Sequence, residues 1–237
     1  MKAMILAAGL GTRMRPLTDH IPKPLLEVGG KPLIVWHLQA LAYYGIREVV
    51  INVAHRGQQI MDKLGSGASW GLNIHWSVEE QPLETAGGII KALPLLGEEP
   101  FLLLNADVWW ASWPFWQTCP LRHGDLASLL LVDNPVHHPE GDFYFQEGRI
   151  RNEGSQRLTF AGISLISPAL FADCRPGVLP LAPLLRTAIG RQAVAGIRHE
   201  GAWTDVGTPL RLKELDAQLR QEMPELEGHG LRVDPAN

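Results

Sequence analysis

The run Ala3-Met4-Ile5-Leu6-Ala7, followed without a break by Ala8-Gly9-Leu10-Gly11-Thr12-Arg13, constrains the fold more than any other stretch of this chain. A short, continuous apolar run bounded by small residues predicts a buried strand. The loop behind it carries side chains small enough for its backbone N–H groups to approach an anion closely. A strand buried on both faces needs helices above and below it. Apolar spacing predicts those helices over residues 33–44, 56–64 and 86–96, the first opened by Pro32 and ended by Gly45. Strands are expected over residues 49–53, 72–78 and 101–104. Repeated βα units of this kind give an α/β fold, a mostly parallel sheet with helices on both faces. Ligands bind such sheets beyond the carboxyl ends of the strands, so functional residues are expected just after Ala7, Val78 and Leu104.

The second half is less regular. Strands are expected over 127–132, 160–166 and 193–198, with a hairpin over 143–151 around Glu147-Gly148. A helix is expected over 181–189, and an amphipathic closing helix over 208–220 with Leu210, Leu212, Leu215 and Leu219. With no repeat and no linker, the expectation is one domain over 1–223, including a small antiparallel subregion near 110–165. Residues 224–237 lose periodicity and are expected to form a loose tail. A chain of 237 residues buries roughly 70–75% of its unfolded surface, so it needs no covalent staple. Cys119 and Cys174 form no CxxC and fit a reducing compartment. The net charge of −4 offers no basic face for nucleic acid. The apolar N-terminus stops at Gly9, too short for an export signal, and no run of about 18 apolar residues is present to span a bilayer. The expectation is a cytoplasmic protein, monomeric or a small homo-oligomer, with neither nucleic-acid nor membrane partners.

The densest chemical signal is the glycine loop with Arg13, Arg15 and, after Pro22, Lys23. The loop breaks the dinucleotide pattern GxGxxG, because Met14 stands at the third glycine, and it breaks the P-loop pattern as well. The glycines alone could be a turn with surface cations. Three cations after one strand favour phosphate binding. Asp107 follows an apolar strand, where a lone carboxylate can hold a hard cation such as Mg²⁺ or cap the next element. Asp205, in Trp203-Thr204-Asp205-Val206-Gly207-Thr208-Pro209, is open to the same two readings. The nine histidines form no HExxH and no zinc spacing, and His137-His138 sits in a Pro-flanked loop. No GxSxG is present, and neither cysteine has a base beside it, so covalent hydrolase chemistry has no support. Half of the eight tryptophans fall within residues 109–116, where packing of short elements is the favoured role.

With these residues placed, the chain resembles the sugar-1-phosphate nucleotidyltransferase family. The resemblance is carried by LAAGLGTRMRPLT and PKPLLEVGGKPL, then by Gln81-Pro82-Leu83-Glu84-Thr85-Ala86-Gly87-Gly88, Asn105-Ala106-Asp107, Phe160-Ala161-Gly162-Ile163 and residues 203–209. It implies a Rossmann-like mixed sheet with an antiparallel sugar-binding subregion. It implies transfer of a nucleotidyl group, here from UTP, to a sugar 1-phosphate. Gly9, Gly11, Thr12 and Arg13 would hold the triphosphate, Lys23 would neutralise the α-phosphate, and Gln81 would read the base edge. Arg13 and Lys23 would carry the catalysis. Asp107 and Asp205 match the family's Mg²⁺ ligands. Asn105, Glu140, Gly141, Glu153 and Gly154 fall where relatives hold the sugar phosphate. Glucose- or mannose-1-phosphate thymidylyl- and guanylyltransfer are alternatives, as is a non-catalytic nucleotide-sugar-binding regulatory subunit. Two departures stand out. Relatives commonly carry Gly at Glu84, and they commonly follow the sugar-binding Glu with a Lys where this chain has Gly154. The missing side chain leaves room for a bulky 3-O-lactyl sugar. It also leaves a cation missing, for which Arg151, Arg157 and Arg198 are candidates.

Overall fold

The computed structural model describes residues 1–111, 117 and 119–226. Its centre is β1 (Ala3–Leu6), flanked by β4 (Glu48–Val53) and β6 (Phe101–Asn105), with β5 (Asn73–Val78) on the outer side of β4, all parallel. Two minor strands, β2 (Glu27–Val28) and β3 (Lys31–Pro32), make a hairpin of their own. The helices that return the chain are α1 (Leu33–Tyr43), α2 (Gly57–Leu64) and α3 (Glu84–Leu96).

Strand alternation assigns each face. Ile5, Ile51 and Leu104 point into one core with Ile34 and Leu38 of α1 and Ile60 of α2. Met4, Val50 and Leu103 point into the opposite core with Ile89 of α3 and Leu185 and Ile189 of α4 (Leu181–Gly190). Both faces of these strands are therefore dry, which is why their sequences read as near-continuous apolar runs.

Beyond β6 the same sheet continues in mixed sense. β11 (Arg157–Ile166) runs antiparallel to β6 and to β8 (Ala127–Val132), and β12 (Val194–Arg198) runs parallel to β8. β10 (Arg149–Arg151) and β9 (Phe143–Gln146) close the order β5-β4-β1-β6-β11-β8-β12-β10-β9. The antiparallel region is thus continuous with the parallel one and extends further along the chain than residues 110–165.

Outside the main sheet, β7 (Val108–Trp110) pairs with β13 (Trp203–Asp205). The closing helix α5 (Pro209–Leu226) continues past Pro224, so the first residues of the expected tail are helical; residues 227–237 lie outside the described part. A third core, containing Met14, Trp36, Trp109, Val206, Leu215 and Leu219, ties the glycine loop to α1, β7 and α5. Trp109 meets Trp36 edge to face at 6.2 Å, which is the packing role expected of the tryptophan-rich stretch. Trp113 and Trp116 lie outside the described residues. No helix among them is long and apolar enough to cross a membrane.

Candidate active site

The carboxyl ends of β1, β5 and β6 open into one cavity of about 460 Å³. Its walls are the glycine loop from Leu6 to Met14, the β5–α3 turn (Glu79 and Pro82 to Thr85), the end of β6 (Asn105 to Asp107), Lys23 and Pro24, with Asn52 and Gly207. Gly11 turns the loop at φ +64° and accepts a hydrogen bond from Thr18 Oγ1 at 2.8 Å. A Cβ there would lie 3.1 Å from Thr18 and 3.3 Å from Lys23, so the turn needs glycine. Arg13 is exposed at the cavity edge and has no side-chain hydrogen bond or ion pair with any described residue. Arg15, outside the cavity, pairs with Asp19 at 3.4 Å.

Lys23 is held between buried Pro22 and Pro24, and only 11% of its side chain is exposed. Its Nζ donates to Asp107 Oδ2 at 2.5 Å. His37 of α1 is buried, its ring 5.1 Å from that of Trp110. Burial pushes the His37 pKa down to about 4, against the smaller raising effects of Asp107 and the Val108 and Ala106 carbonyls.

A second cavity of about 310 Å³ adjoins the first and shares Arg13, Asn105 and Asp107 with it. Its other walls include Pro135, His137, His138, Gly162, Trp203, Asp205 and Arg211. The β7–β13 ladder creates this neighbourhood. It sets Asp205 opposite Val108, and Val206 N donates to the Asp107 carbonyl at 2.7 Å. Two acidic residues nearly a hundred positions apart thereby face one space. The register irregularity in β11 between Phe160 and Ser164 completes the wall. Gly162 sits there at φ +77°, where a Cβ would lie 2.8 Å from Asn105 Nδ2, and Trp203 Nε1 donates to Ala161 O at 2.9 Å. Asp205 is held by Arg211 Nη1, 2.5 Å from each carboxylate oxygen, and His137 Nε2 lies 3.0 Å from Asp205 Oδ1.

Two carboxylates at adjoining strand ends suit a hard cation whose remaining ligands come from phosphate oxygens and water. Among the described residues no group of three or more His, Cys, Asp or Glu could form a cage of its own. The donor set therefore fits Mg²⁺ bound together with a phosphorylated substrate, and does not fit a permanent protein-only site.

The structure brings Gly9, Gly11, Thr12, Arg13, Lys23, Asn105 and Asp107 to the first cavity, and Asp205 to the second. Gln81 is exposed in the β5–α3 turn, beside the lining residues Glu79 and Pro82 but not among them. Glu140 is exposed and Gly141 turns at φ +59°, in a loop stapled by Asn134 to Pro139 O and Arg157 O. Neither lines these cavities; their loop supplies His137 and His138 instead. Glu153 and Gly154 are likewise outside, and a Cβ at Gly154 would lie 3.1 Å from Tyr144 Cβ.

Two functional candidates escaped the sequence reading. Asn52 Oδ1 accepts from Ala7 N at 2.9 Å, Asn52 Nδ2 donates to Glu79 Oε1 at 2.7 Å, and Glu79 Oε2 accepts from Leu83 N at 3.1 Å. This buried relay fastens the glycine loop to the opposite wall of the cavity. The available signal was an asparagine inside the apolar run of β4 and a glutamate immediately after β5.

The nucleotidyl transferase family model matches residues 2–140. An N-acetylmuramate alpha-1-phosphate uridylyltransferase of Neisseria meningitidis is 50% identical over 92% of this chain and 97% of its own length. A mannose-1-phosphate guanyltransferase of Yarrowia lipolytica is 31% identical over 99% of this chain and 72% of its own. Among solved structures, a Bacillus anthracis protein in complex with sucrose superposes with a TM-score of 0.81 at 23% identity, covering 93% of this chain and 95% of that one.

Proposed function

The chain belongs to the nucleotidyl transferase family, and from that premise we propose that it joins UTP to N-acetylmuramate 1-phosphate, forming UDP-N-acetylmuramate and pyrophosphate. The observation that carries this reading is the pair of adjoining cavities with Arg13, Asn105 and Asp107 as their common wall. A two-substrate phosphoryl-type transfer needs two compartments that meet at one charged surface. The likeness to the Neisseria protein along nearly the whole of both chains supports uridylyl transfer to this sugar over the other family chemistries.

In the proposed reaction a phosphate oxygen of the sugar 1-phosphate attacks the α-phosphorus of UTP. The bond from that phosphorus to the α–β bridging oxygen breaks, and its electron pair leaves with pyrophosphate. With a second pKa of about 6 the nucleophile is largely ionised at neutral pH, so no side chain has to remove a proton. The difficulty is repulsion between two anions, and the chain's task is neutralisation and in-line positioning. The loop N–H groups of Gly9, Gly11 and Thr12, together with Arg13, are assigned the triphosphate. Lys23 is assigned the α-phosphate, Gln81 the base edge and Asn105 the sugar phosphate. The resemblance sets Glu140, Gly141, Glu153 and Gly154 beside the sugar phosphate as well, and none of them lines either cavity. Asp107 and Asp205 would hold Mg²⁺, which when bound supplies positive charge to the phosphate oxygens. The proposed product is an activated cell-wall sugar, and the reading carries with it a role in peptidoglycan recycling in the cytoplasm.

The test is a matrix of four nucleoside triphosphates against several sugar 1-phosphates with Mg²⁺, followed by pyrophosphate release. UTP with N-acetylmuramate 1-phosphate is expected to give the highest kcat/KM. A preference for GTP and mannose 1-phosphate would move the enzyme to the guanylyl branch. No turnover of any pair would replace the enzymatic reading with a regulatory nucleotide-sugar-binding one.

A further inference from the structure

We propose that Arg211 supplies the cation that grips the phosphate of the sugar 1-phosphate, in place of the lysine that Gly154 lacks. This assignment rests on the reading of the second cavity as the sugar-phosphate compartment. The three arginines suggested by the sequence stand elsewhere. Arg198 Nη2 donates to Asp133 at 2.8 Å, and the Arg157 guanidinium lies over the Tyr144 ring at 4.7 Å. Arg151 is paired opposite Tyr144 in the β9–β10 ladder. None of the three lines the second cavity, whereas Arg13 and Arg211 do, and no lysine lines it among the described residues.

Arg13 also lines the first cavity and is assigned to the triphosphate there, which leaves Arg211 to meet a second phosphate. Its side chain is 15% exposed, and its guanidinium is set in place before any ligand arrives. Asp205 holds Nη1, and His137 contacts the same nitrogen. Gly207 makes the room: a Cβ there would lie 2.2 Å from Nη2 and 3.1 Å from Cζ. The glycine between β13 and α5 is therefore a requirement of the arginine's position. Nη2 and Nε donate to no described residue, and Arg211 lines the second cavity, so these are the donors we assign to the anion. A fixed planar donor set suits a phosphate and costs less ordering on binding than a free lysine chain.

The cavity could bring two anionic groups of the proposed sugar to this arginine, the 1-phosphate and the lactyl carboxylate, and the position of Asp107 and Asp205 favours the phosphate. The full-length protein separates these in one experiment with Arg211→Gln and Arg211→Lys. Calorimetric binding of N-acetylmuramate 1-phosphate, of N-acetylglucosamine 1-phosphate and of UTP is measured in EDTA, and KM for each sugar is measured with Mg²⁺. Arg211→Gln is expected to weaken both sugar phosphates by roughly 10–100-fold, the loss of a charge-assisted hydrogen-bonded pair. UTP affinity, read by the same calorimetry in EDTA so that the metal contact of Asp205 plays no part, should stay within about twofold, because the triphosphate keeps Arg13 and the loop. Arg211→Lys, which retains the charge and a partner for Asp205, should fall between wild type and Arg211→Gln. Unchanged binding of both sugar phosphates to either variant would overturn the proposal. So would a loss confined to the lactyl sugar, or an equal loss for UTP. If the wild-type protein turns over no sugar 1-phosphate, it is the reading of the cavity that fails; if it turns over and Arg211→Gln does so equally well, only the role of Arg211 fails.

Discussion

Lys23 and Arg15 are eight residues apart in one cationic stretch, and their surroundings give them different work. Lys23 is almost enclosed and bonded to Asp107, while the side chain of Arg15 is 69% exposed and pairs loosely with Asp19. Lys23→Ala is expected to lower kcat by about 10²–10³-fold with a much smaller change in KM for UTP, as for a donor aimed at transition-state charge. Arg15→Ala should leave both within about twofold, since exposed ion pairs contribute little. Steady-state kinetics on the two variants checks this, and equal damage would contradict the assignment. At this scale the sequence pointed to the cavity where a glycine or carboxylate came within a few residues of an apolar strand end, as at Gly9 and Asp107, which the structure brings to the first cavity. It passed over Glu79 in the same kind of place. It was uninformative where the partners are distant. Asn52 lies in β4 and Glu79 just after β5, so they meet only once those strands pair, and Arg211 lies on a half-buried first turn whose sequence looks like that of any solvated helix face. Glu84 is intermediate: it stands at φ +59°, a backbone region that glycine enters without strain, so the departure at this position is a backbone matter as well as one of packing over the base.

The elements matter because each brings a short segment to a fixed place. The glycine loop is positioned by β1, Asp107 by the turn between β6 and β7, and Asp205 by the β7–β13 ladder. That ladder was not legible, because a three-residue pairing leaves no periodic signal. The main strands and helices were legible to within a few residues, since the buried faces impose either continuous apolar runs or helical spacing. Helix α3 approaches the Asn52–Glu79 relay through Gly88, where a Cβ would lie 2.6 Å from Glu79 Oε1 and 2.8 Å from Asn52 Nδ2. Gly88→Ala must push the helix or the relay aside. The expected cost is about 1–3 kcal/mol in urea unfolding, with KM for UTP raised because the two cavity walls lose their mutual fastening. Unchanged stability and unchanged KM would show that the relay is not a rigid link.

At the largest scale, among the described residues, a nine-stranded mixed sheet organises the molecule: its parallel half holds the glycine loop and its antiparallel strand β11 closes the second cavity. No strand order is legible there in the sequence, because antiparallel partners of a buried strand carry the same apolar pattern as parallel ones. Its stability should depend on pH through His37. This base has a folded pKa of about 4 against an ordinary value near 6.5, so the unfolded chain binds the proton more readily. Stability is then complete above about pH 6.5 and falls on acidification toward pH 4, by an amount on the order of 3 kcal/mol in full. Denaturant unfolding from pH 7.5 to 4.5 in EDTA should show this loss, and His37→Leu should flatten it; an unchanged slope in the variant would assign the loss to other groups. The central claim is that the site works by neutralising two anions and takes no proton through a side chain. The pH dependence of kcat/KM for the sugar 1-phosphate, from pH 5.5 to 9 at saturating UTP and Mg²⁺, tests it most directly. The predicted result is one ascending limb near pH 6, belonging to the second ionisation of the substrate phosphate, followed by a plateau. A further ascending limb above pH 6.5 that disappears on substitution of His137 or another cavity side chain would show a protein base at work and contradict it.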